Sequence, residues 1–164
     1  MKQLTEPEIR AAFLNCSKGE AKRMNLPRDL AEQPWDDLDF LGWRDPQAPD
    51  RAYLVAVLDG RPQGIVLRST GAAAWQARRS LCSLCMTSHT GGGVSLLVAP
   101  KAGPAGREGN SVGAYMCSDL ACSLYVRGLK NAGAGSRLHE SLSLEETTAR
   151  TLANVAEFIA KVTA

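Results

Sequence analysis

The chain has 164 residues, of which 45% are hydrophobic and 22% are charged, and its formal net charge is +2. These values are typical of a globular protein with one substantial core, so we predict one domain over residues 1–164. No apolar run reaches about 18 residues and the first residues lack the apolar segment of a secretory signal, which excludes a membrane span and favours the cytoplasm.

The first third of the sequence predicts one helix followed by a loop. Thr5 is typical of a helix N-cap, and Glu8 is placed to be its capping-box partner. Gly19 indicates that the helical region stops or breaks there. The segment from Pro34 to Pro49 is rich in Trp, Asp and Pro, and we predict that it forms a loop.

The next segment predicts a β-hairpin and a short helix. Two β-prone runs, Tyr53–Leu58 and Gly64–Arg68, flank Asp59-Gly60-Arg61-Pro62, which is typical of a hairpin turn. Ala72–Arg79 is compatible with a helix that leads into the first cysteine pair.

The second half of the chain predicts two further strands and two helices. We expect strands at Val94–Ala99 and Ser111–Met116, joined by a Gly/Pro-rich loop. Ser118 and Asp119 are candidate N-caps of a helix that continues through Leu120–Arg127. Another glycine-containing loop follows it.

A second capping box, Ser143 with Glu146, predicts a last helix that ends near Val162. Residues with helical spacing predict its core-facing side. They are Leu144, Thr148, Leu152, Val155, Ile159 and Val162.

Four of the five cysteines form two close pairs, Cys82-x2-Cys85 and Cys117-x4-Cys122. Four thiolates suit a tetrahedral zinc ion, and short spacing brings two ligands onto one ion at little loop-closure cost. Four protein ligands leave no open position for a substrate, so we expect one structural Zn2+ ion. The clustered, odd cysteine count favours a reducing cytoplasm over a disulfide framework.

The order of the predicted elements is that of a treble-clef zinc finger at about residues 80–128. A turn supplies the first cysteine pair, a hairpin follows, and a strand end with a helix N-terminus supplies the second pair. The partial positive charge of a helix N-terminus stabilises thiolates. The predicted fold is therefore α+β, with a small antiparallel sheet, flanking helices and a treble-clef-like four-cysteine zinc finger.

Other interpretations of the cysteines stay open. A redox pair at Cys82 and Cys85 lacks the βαβ pattern that a thioredoxin-like site needs. Ligation by His89 in place of a cysteine would leave one thiol of a complete quartet unused. Cys16 is expected to be a small buried hydrophobic residue.

The positive charge is concentrated around the cysteines. Between Arg61 and Arg137 there are nine Lys or Arg residues and two acids, giving +7, whereas ten basic and fifteen acidic residues elsewhere give −5. Arg78 and Arg79 could compensate the negative charge of a four-thiolate zinc centre. Alternatively, the basic segment could contact an anionic partner such as ribosomal RNA or an acidic protein surface.

No catalytic constellation is evident in the sequence. Neither His89 nor His139 lies in a nucleophile or metal-hydrolase motif. The Asp36, Asp37 and Asp39 cluster is most simply a solvated turn, and Gly91–Gly93 lacks the Lys-Ser/Thr of a phosphate loop. We therefore predict that the protein is not an enzyme and has no small-molecule substrate.

Four stretches resemble a known family: Asn15–Arg23 (NCSKGEAKR), Trp75–Cys85 (WQARRSLCSLC), Val94–Leu97 (VSLL) and Gly113–Arg127 (GAYMCSDLACSLYVR). The family is that of the elongation-factor-G-binding proteins, which includes the FusB-type fusidic acid resistance proteins. The resemblance is to their C-terminal treble-clef zinc-finger domain. It covers most of the chain, from about Ile9 to the last helix.

The resemblance implies zinc at Cys82, Cys85, Cys117 and Cys122, and binding to the translocase on the ribosome. In the resistance members, binding helps to release a drug-stalled factor. Those members have an additional N-terminal helical bundle, whereas this chain leaves room for one helix before the shared region. Drug protection therefore transfers less directly than binding of the factor.

The leading hypothesis is a non-enzymatic zinc-binding protein that binds elongation factor G and promotes its release from the ribosome. From charge and proximity to the metal, Arg79, Arg127 and Lys130 are the candidate contact residues. The alternative is a zinc module that binds ribosomal RNA, for which the aromatic content of 5% offers few stacking platforms.

Overall fold

The structure is a computed structural model that describes residues 1–71, 80–133 and 141–164. The predicted helix at Ala72–Arg79, including the candidate contact residue Arg79, lies outside the described residues, as does His139. Within the described part of the chain, no helix has the length and apolar character needed to cross a bilayer.

A five-stranded sheet forms the centre of the described structure, and all of its strand pairs are antiparallel. The strand order is β1-β2-β3-β6-β7, and a separate short ribbon pairs β4 with β5. This arrangement confirms the predicted α+β fold with a small antiparallel sheet. The strands are β1 Phe40–Arg44, β2 Arg51–Leu58, β3 Arg61–Ser69, β4 Ser80–Leu81, β5 Ser88–His89, β6 Val94–Pro100 and β7 Ser111–Cys117.

The predicted hairpin is confirmed in β2 and β3. Leu58 and Arg61 are register partners, so the turn consists of Asp59 and Gly60. Both have positive φ, 50° and 73°. Asp-Gly favours this turn because a two-residue hairpin of the type I′ class requires positive φ at both positions.

Two short helices precede the sheet, where one had been predicted. The first, α1, spans Glu6–Ala11 and has the predicted capping box between Thr5 and Glu8. The second, α2, spans Lys18–Arg23 and begins with another capping box, between Ser17 and Glu20. The expected break at Gly19 is therefore wrong, because the cap stabilises the helix by about as much as one glycine weakens it.

Two segments predicted as loops contain regular structure. The segment Pro34–Pro49 includes a 3₁₀ turn at Trp35–Asp37 and strand β1. The Gly/Pro-rich loop after β6 includes the short helix α3, Gly103–Arg107. Buried positions occur on both faces of β1, so its sequence lacks the alternation that marks a strand with one exposed face.

The two C-terminal helices are α4, Cys122–Val126, and α5, Leu144–Thr163. The Ser143 and Glu146 capping box of α5 is confirmed. Leu144 is 54% exposed, so the predicted core-facing stripe is wrong in the first turn. The buried residues of α5 are Thr151, Val155, Phe158, Ile159 and Val162.

The two faces of the sheet bury separate cores. The cysteine-side core contains Phe40, Leu54, Ile65, Leu97, Met116, the buried apolar residues of α5 and the four paired cysteines. The N-terminal core contains Ile9 of α1, Ala21 of α2, Trp35, Trp43, Tyr53 and Val55. Strands β1 and β2 contribute alternate residues to both cores.

Candidate metal centre

The first cysteine pair lies in a tight turn between β4 and β5. The Cys82 amide donates to Thr87 O at 3.0 Å, and the Met86 amide donates to Cys82 O at 2.9 Å. Met86 has a φ of 59°, a left-handed conformation that turns the chain back towards β5. This turn places Cys82 and Cys85 on one side of the centre.

The second pair lies where β7 gives way to α4. The Leu120 amide donates to Cys117 O at 2.9 Å, and Leu120 also has a left-handed φ, 57°. Cys122 is the first residue of α4. The helix N-terminus predicted for this cysteine is confirmed, although the helix begins later and is shorter than expected.

Gly42 in β1 allows the second cysteine turn to approach the sheet. A Cβ at this position would lie 2.5 Å from Leu120 Cβ and 3.1 Å from Leu120 O. No side chain larger than hydrogen fits without a shift of β1 or of the turn. Gly42 precedes Leu120, in the turn that it accommodates, by 78 residues, and no spacing in the sequence indicates this role.

The four predicted ligands converge. Their sulfur atoms all lie within 4.8 Å of one another, and all four cysteines are buried. Cys82 Sγ is 3.7 Å from Cys122 Sγ, and Cys85 Sγ is 3.6 Å from Cys117 Sγ. A tetrahedron with Zn–S bonds of about 2.3 Å has S···S edges of about 3.8 Å. The residues therefore fit one structural Zn2+ ion.

The proximity of the four thiols shifts the pKa values of Cys82 and Cys122 in opposite directions. Hydrogen bonds with Cys117, Cys122 and Cys85 lower the pKa of Cys82, because the neighbouring thiols stabilise its thiolate. Contacts of Cys122 with Cys117, Cys82 and Cys85, of which the contact with Cys117 contributes most, raise the pKa of this fully buried thiol. A divalent cation would favour the deprotonated form of all four, since metal ligation replaces the thiol protons.

His89 lies beside the quartet. Its Nε2 is 3.2 Å from Cys117 Sγ, and its ring meets the Tyr125 ring edge-on with centroids 4.6 Å apart. A Cβ on Gly93 would lie 2.6 Å from His89 Nδ1, so this glycine leaves room for the imidazole. With four sulfurs already together, His89 is placed as a hydrogen-bond partner of a ligand, the position from which second-shell groups orient metal ligands.

Further polar contacts connect the centre to the surface at Lys130. The Tyr125 hydroxyl donates to Asp119 Oδ2 at 2.8 Å, and Lys130 Nζ donates to the same oxygen at 2.6 Å. Burial would raise the pKa of Asp119, but hydrogen bonds from Lys130, the Ala121 amide and Tyr125 hold it below its usual value. The Lys130 side chain is 46% exposed, so part of this candidate contact residue faces solvent.

Arg127 forms an ion pair with Asp39 of the same chain. Its Nη1 and Nη2 donate to the two carboxylate oxygens of Asp39 at 2.7 and 2.8 Å, and its side chain is 17% exposed. The hydrogen bonds to Asp39 raise the pKa of the guanidinium. Asp39 is therefore no solvated turn residue, and the predicted partner contact of Arg127 stays a prediction.

A family model described as the FBP C-terminal treble-clef zinc-finger matches residues 8–162. The matched range includes the four cysteines and every strand of the sheet. No curated protein and no solved structure gives a significant match. The match agrees with the four-cysteine geometry and confirms the predicted treble-clef class.

Proposed function

This chain belongs to the FBP C-terminal treble-clef zinc-finger family, and from that membership we propose that it acts by binding translation elongation factor G, without catalysis of its own. The family match over residues 8–162 is the observation that carries the proposal, because it spans nearly the whole chain. The stretches that resemble elongation-factor-G-binding proteins lie inside this range.

In this proposal, zinc shapes the binding surface and does not touch the partner. The four cysteines are buried, with exposed fractions of 2% or less. Four thiolates complete the coordination of zinc and leave no position for a substrate. The ion fixes the turn before β5 and the start of α4 relative to the sheet.

The proposed contact point is the exposed segment that follows α4. Leu129 is 61% exposed, and the partly exposed Lys130 follows it. An exposed apolar side chain next to a cation fits a protein partner with an apolar site edged by acidic residues. The pairing of Lys130 with Asp119 holds this cation in a defined position.

Calorimetry with purified elongation factor G at moderate salt tests the proposal. We expect saturable binding by the zinc-loaded protein, weakened severalfold in Lys130→Ala. Lys161→Ala is the matched control, because Lys161 also pairs with a carboxylate at 2.7 Å but lies on α5. Absence of saturable binding would contradict docking on the factor, and equal weakening by both substitutions would contradict contact at Lys130.

Release of the factor from the ribosome is the finer function that we propose. Co-sedimentation of factor–ribosome complexes with and without fusidic acid measures it. Added protein should move the factor from the ribosomal pellet to the supernatant. Retention of the factor in the pellet, at protein concentrations that saturate binding to the free factor, would limit the function to binding.

Binding of ribosomal RNA is the alternative that the +7 segment between Arg61 and Arg137 favours. RNA binding through phosphates falls steeply with salt and needs no factor. A salt titration of binding to ribosomes, with and without elongation factor G, separates the two functions. Binding that is steeply salt-dependent and persists without the factor would favour RNA.

A further inference from the structure

We propose that a cleft on the N-terminal face of the sheet binds the phosphoryl group of a small molecule. The cleft has a volume of about 570 Å³ and lies between α2, the β1–β2 loop and strands β2 and β3. Its lining includes no cysteine of the metal quartet. The proposal is independent of elongation factor G binding.

Three arginines line the cleft: Arg23 at the end of α2, Arg51 in β2 and Arg68 in β3. Arg51 and Arg68 are register partners in the antiparallel pair. Both line the cleft, as do Tyr53, two residues after Arg51, and Val66, two residues before Arg68. Like charges at directly opposite positions destabilise a sheet. An arrangement that breaks this local rule is expected at a functional site.

The two acidic residues that line the cleft, Glu20 and Asp45, accept hydrogen bonds from other groups of the protein. Glu20 Oε2 accepts from the amide and the hydroxyl of Ser17, both at 2.8 Å. These cap bonds are the main reason that the pKa of Glu20 is lowered, with smaller contributions from Arg23 and Arg51.

The second acid, Asp45, is buried and accepts four hydrogen bonds. Its Oδ1 accepts from Asn25 Nδ2 at 3.0 Å and from the Gln47 and Ala48 amides at 2.9 and 3.3 Å. Its Oδ2 accepts from the Tyr53 hydroxyl at 3.0 Å. Among the described residues, no carboxylate lies within ion-pair distance of the three cleft guanidinium groups. The cleft lining therefore carries three guanidinium groups and two carboxylates, a formal charge of +1, and its guanidinium groups form no ion pair with any residue that the structure describes that would occupy their donors.

The shape and chemistry of the cleft indicate a phosphoryl ligand. One guanidinium group can donate two parallel hydrogen bonds to two oxygens of a phosphate. One phosphoryl group has enough oxygens to accept from several arginines. The volume is within the range of small-molecule sites, about 300–1,000 Å³. Tyr53 is only 3% exposed and its hydroxyl is bound to Asp45, so it offers no free ring face to a base. Charge, and not base stacking, would dominate recognition.

Titration of the zinc-loaded 164-residue protein with pyrophosphate tests the site by calorimetry. We expect saturable binding that weakens about tenfold or more in Arg51→Gln and in Arg68→Gln, since each loses charge-assisted hydrogen bonds. Arg61→Gln is the matched control, because Arg61 is an exposed arginine of the same strand and is not in the cleft lining. Unchanged zinc content and circular dichroism would show that the variants are folded.

Alkylation of Cys16 gives a second readout at the cleft itself. Cys16 lines the cleft and is the one cysteine of five outside the quartet. Pyrophosphate should slow alkylation of Cys16 severalfold in the wild type but not in Arg68→Gln. Absence of binding heat, equal weakening in Arg61→Gln, or unprotected Cys16 at saturation would overturn the proposal. Protection by a single-stranded RNA but not by pyrophosphate would overturn it in favour of nucleic acid.

Discussion

The cysteine-side core and the N-terminal core lie on opposite faces of the same strands but are stabilised by different chemistry. The cysteine-side core includes four buried thiols whose mutual contacts lower the pKa of Cys82 and raise that of Cys122. In the N-terminal core, Phe13, Trp43 and Tyr53 make edge-on and tilted ring contacts with centroids 5.1–6.4 Å apart. There the buried Asp45 carboxylate is satisfied by side chains and amides of the chain itself.

This difference predicts that the two faces respond differently to loss of the metal. Zinc binding supplies folding free energy to sites that do not form without it. The N-terminal core needs no ion, since its helices begin with capping boxes and its polar groups are paired. We expect the metal to determine the stability of β6, β7 and α4 more than that of β1–β3.

The largest effect should come from Cys85→Ser, which removes one of the four ligands. We expect loss of stoichiometric zinc and a fall of several kcal/mol in the free energy of unfolding, comparable with the whole stability of a small domain. Metal analysis and urea denaturation measure both quantities. Cys16→Ser is the matched control, and it should retain zinc because Cys16 lies outside the quartet.

Hydrogen exchange of the chelated wild type would locate the damage. Faster amide exchange in β6, β7 and α4 than in β1–β3 is the expected pattern. Tryptophan fluorescence of a Trp75→Phe variant gives an independent readout, because the two remaining tryptophans, Trp35 and Trp43, both lie in the N-terminal core. Uniform exchange over all five strands would show that the two cores unfold as one unit.

The next largest effect is expected from Gly42→Ala, which tests the contact between β1 and the second cysteine turn. The new Cβ would overlap Leu120, so we expect a loss of about 1–3 kcal/mol, as for overpacked cores, together with weaker zinc binding. Gly113→Ala is the control, since its Cβ would meet the ends of the Leu96 and Val98 side chains at 3.3 and 3.4 Å and the Leu97 carbonyl oxygen at an ordinary contact distance of 3.7 Å. Equal effects of the two substitutions on zinc affinity would contradict this role of Gly42.

Asp45→Asn tests the N-terminal core without touching the metal. Loss of a buried carboxylate with four hydrogen bonds should lower the free energy of unfolding by about 2 kcal/mol near neutral pH. Asp59→Asn is the control, because Asn-Gly also suits the hairpin turn. Zinc content should be unchanged in both variants.

The pH dependence of the Asp45→Asn effect follows from the direction of the pKa shift. Burial acts to raise the pKa of Asp45, but the bonds from Asn25, Gln47, Tyr53 and Ala48 lower it overall. The carboxylate therefore stabilises the fold fully above the unfolded pKa of about 3.9, and this stabilisation is lost as the pH falls through the lower folded value. The difference in free energy of unfolding between the wild type and Asp45→Asn should therefore shrink in acid. A difference that grows in acid would contradict a lowered pKa for Asp45.

The cysteine quartet and the hairpin could be predicted because their chemistry is local in sequence. Paired cysteines at short spacing favour one metal site, and Asp-Gly favours one class of turn. The capping boxes of α1 and α5 were predictable for the same reason. The box of α2 was equally local, but Gly19 led to the prediction of a break.

Contacts distant in sequence could not be predicted in this way. Strand β1 lies in a segment whose Pro and Asp residues indicate a loop, and its burial on both faces depends on helices from elsewhere in the chain. The roles of Gly42 and Asp39 each depend on residues about 80 positions away, Leu120 and Arg127. The charge of the sequence around Arg127 predicts a basic surface, whereas in the fold Arg127 forms an ion pair with Asp39.

The smallest predicted effect concerns the Asp39–Arg127 pair, which connects α4 of the cysteine side to the start of β1. The pair is bidentate and both side chains are mostly buried, so a double-mutant cycle with Asp39→Asn and Arg127→Met should give a coupling of about 1 kcal/mol. The Glu157–Lys161 pair on α5, with both side chains more than half exposed, is the control and should show a coupling of no more than about 0.5 kcal/mol. A strong coupling at Arg127 would mean that its substitution also weakens α4 docking, so reduced factor binding by that variant could not identify a contact. Coupling as small as in the control would leave the Arg127 charge available to the partner, and Arg127 would then join Lys130 in the contact surface.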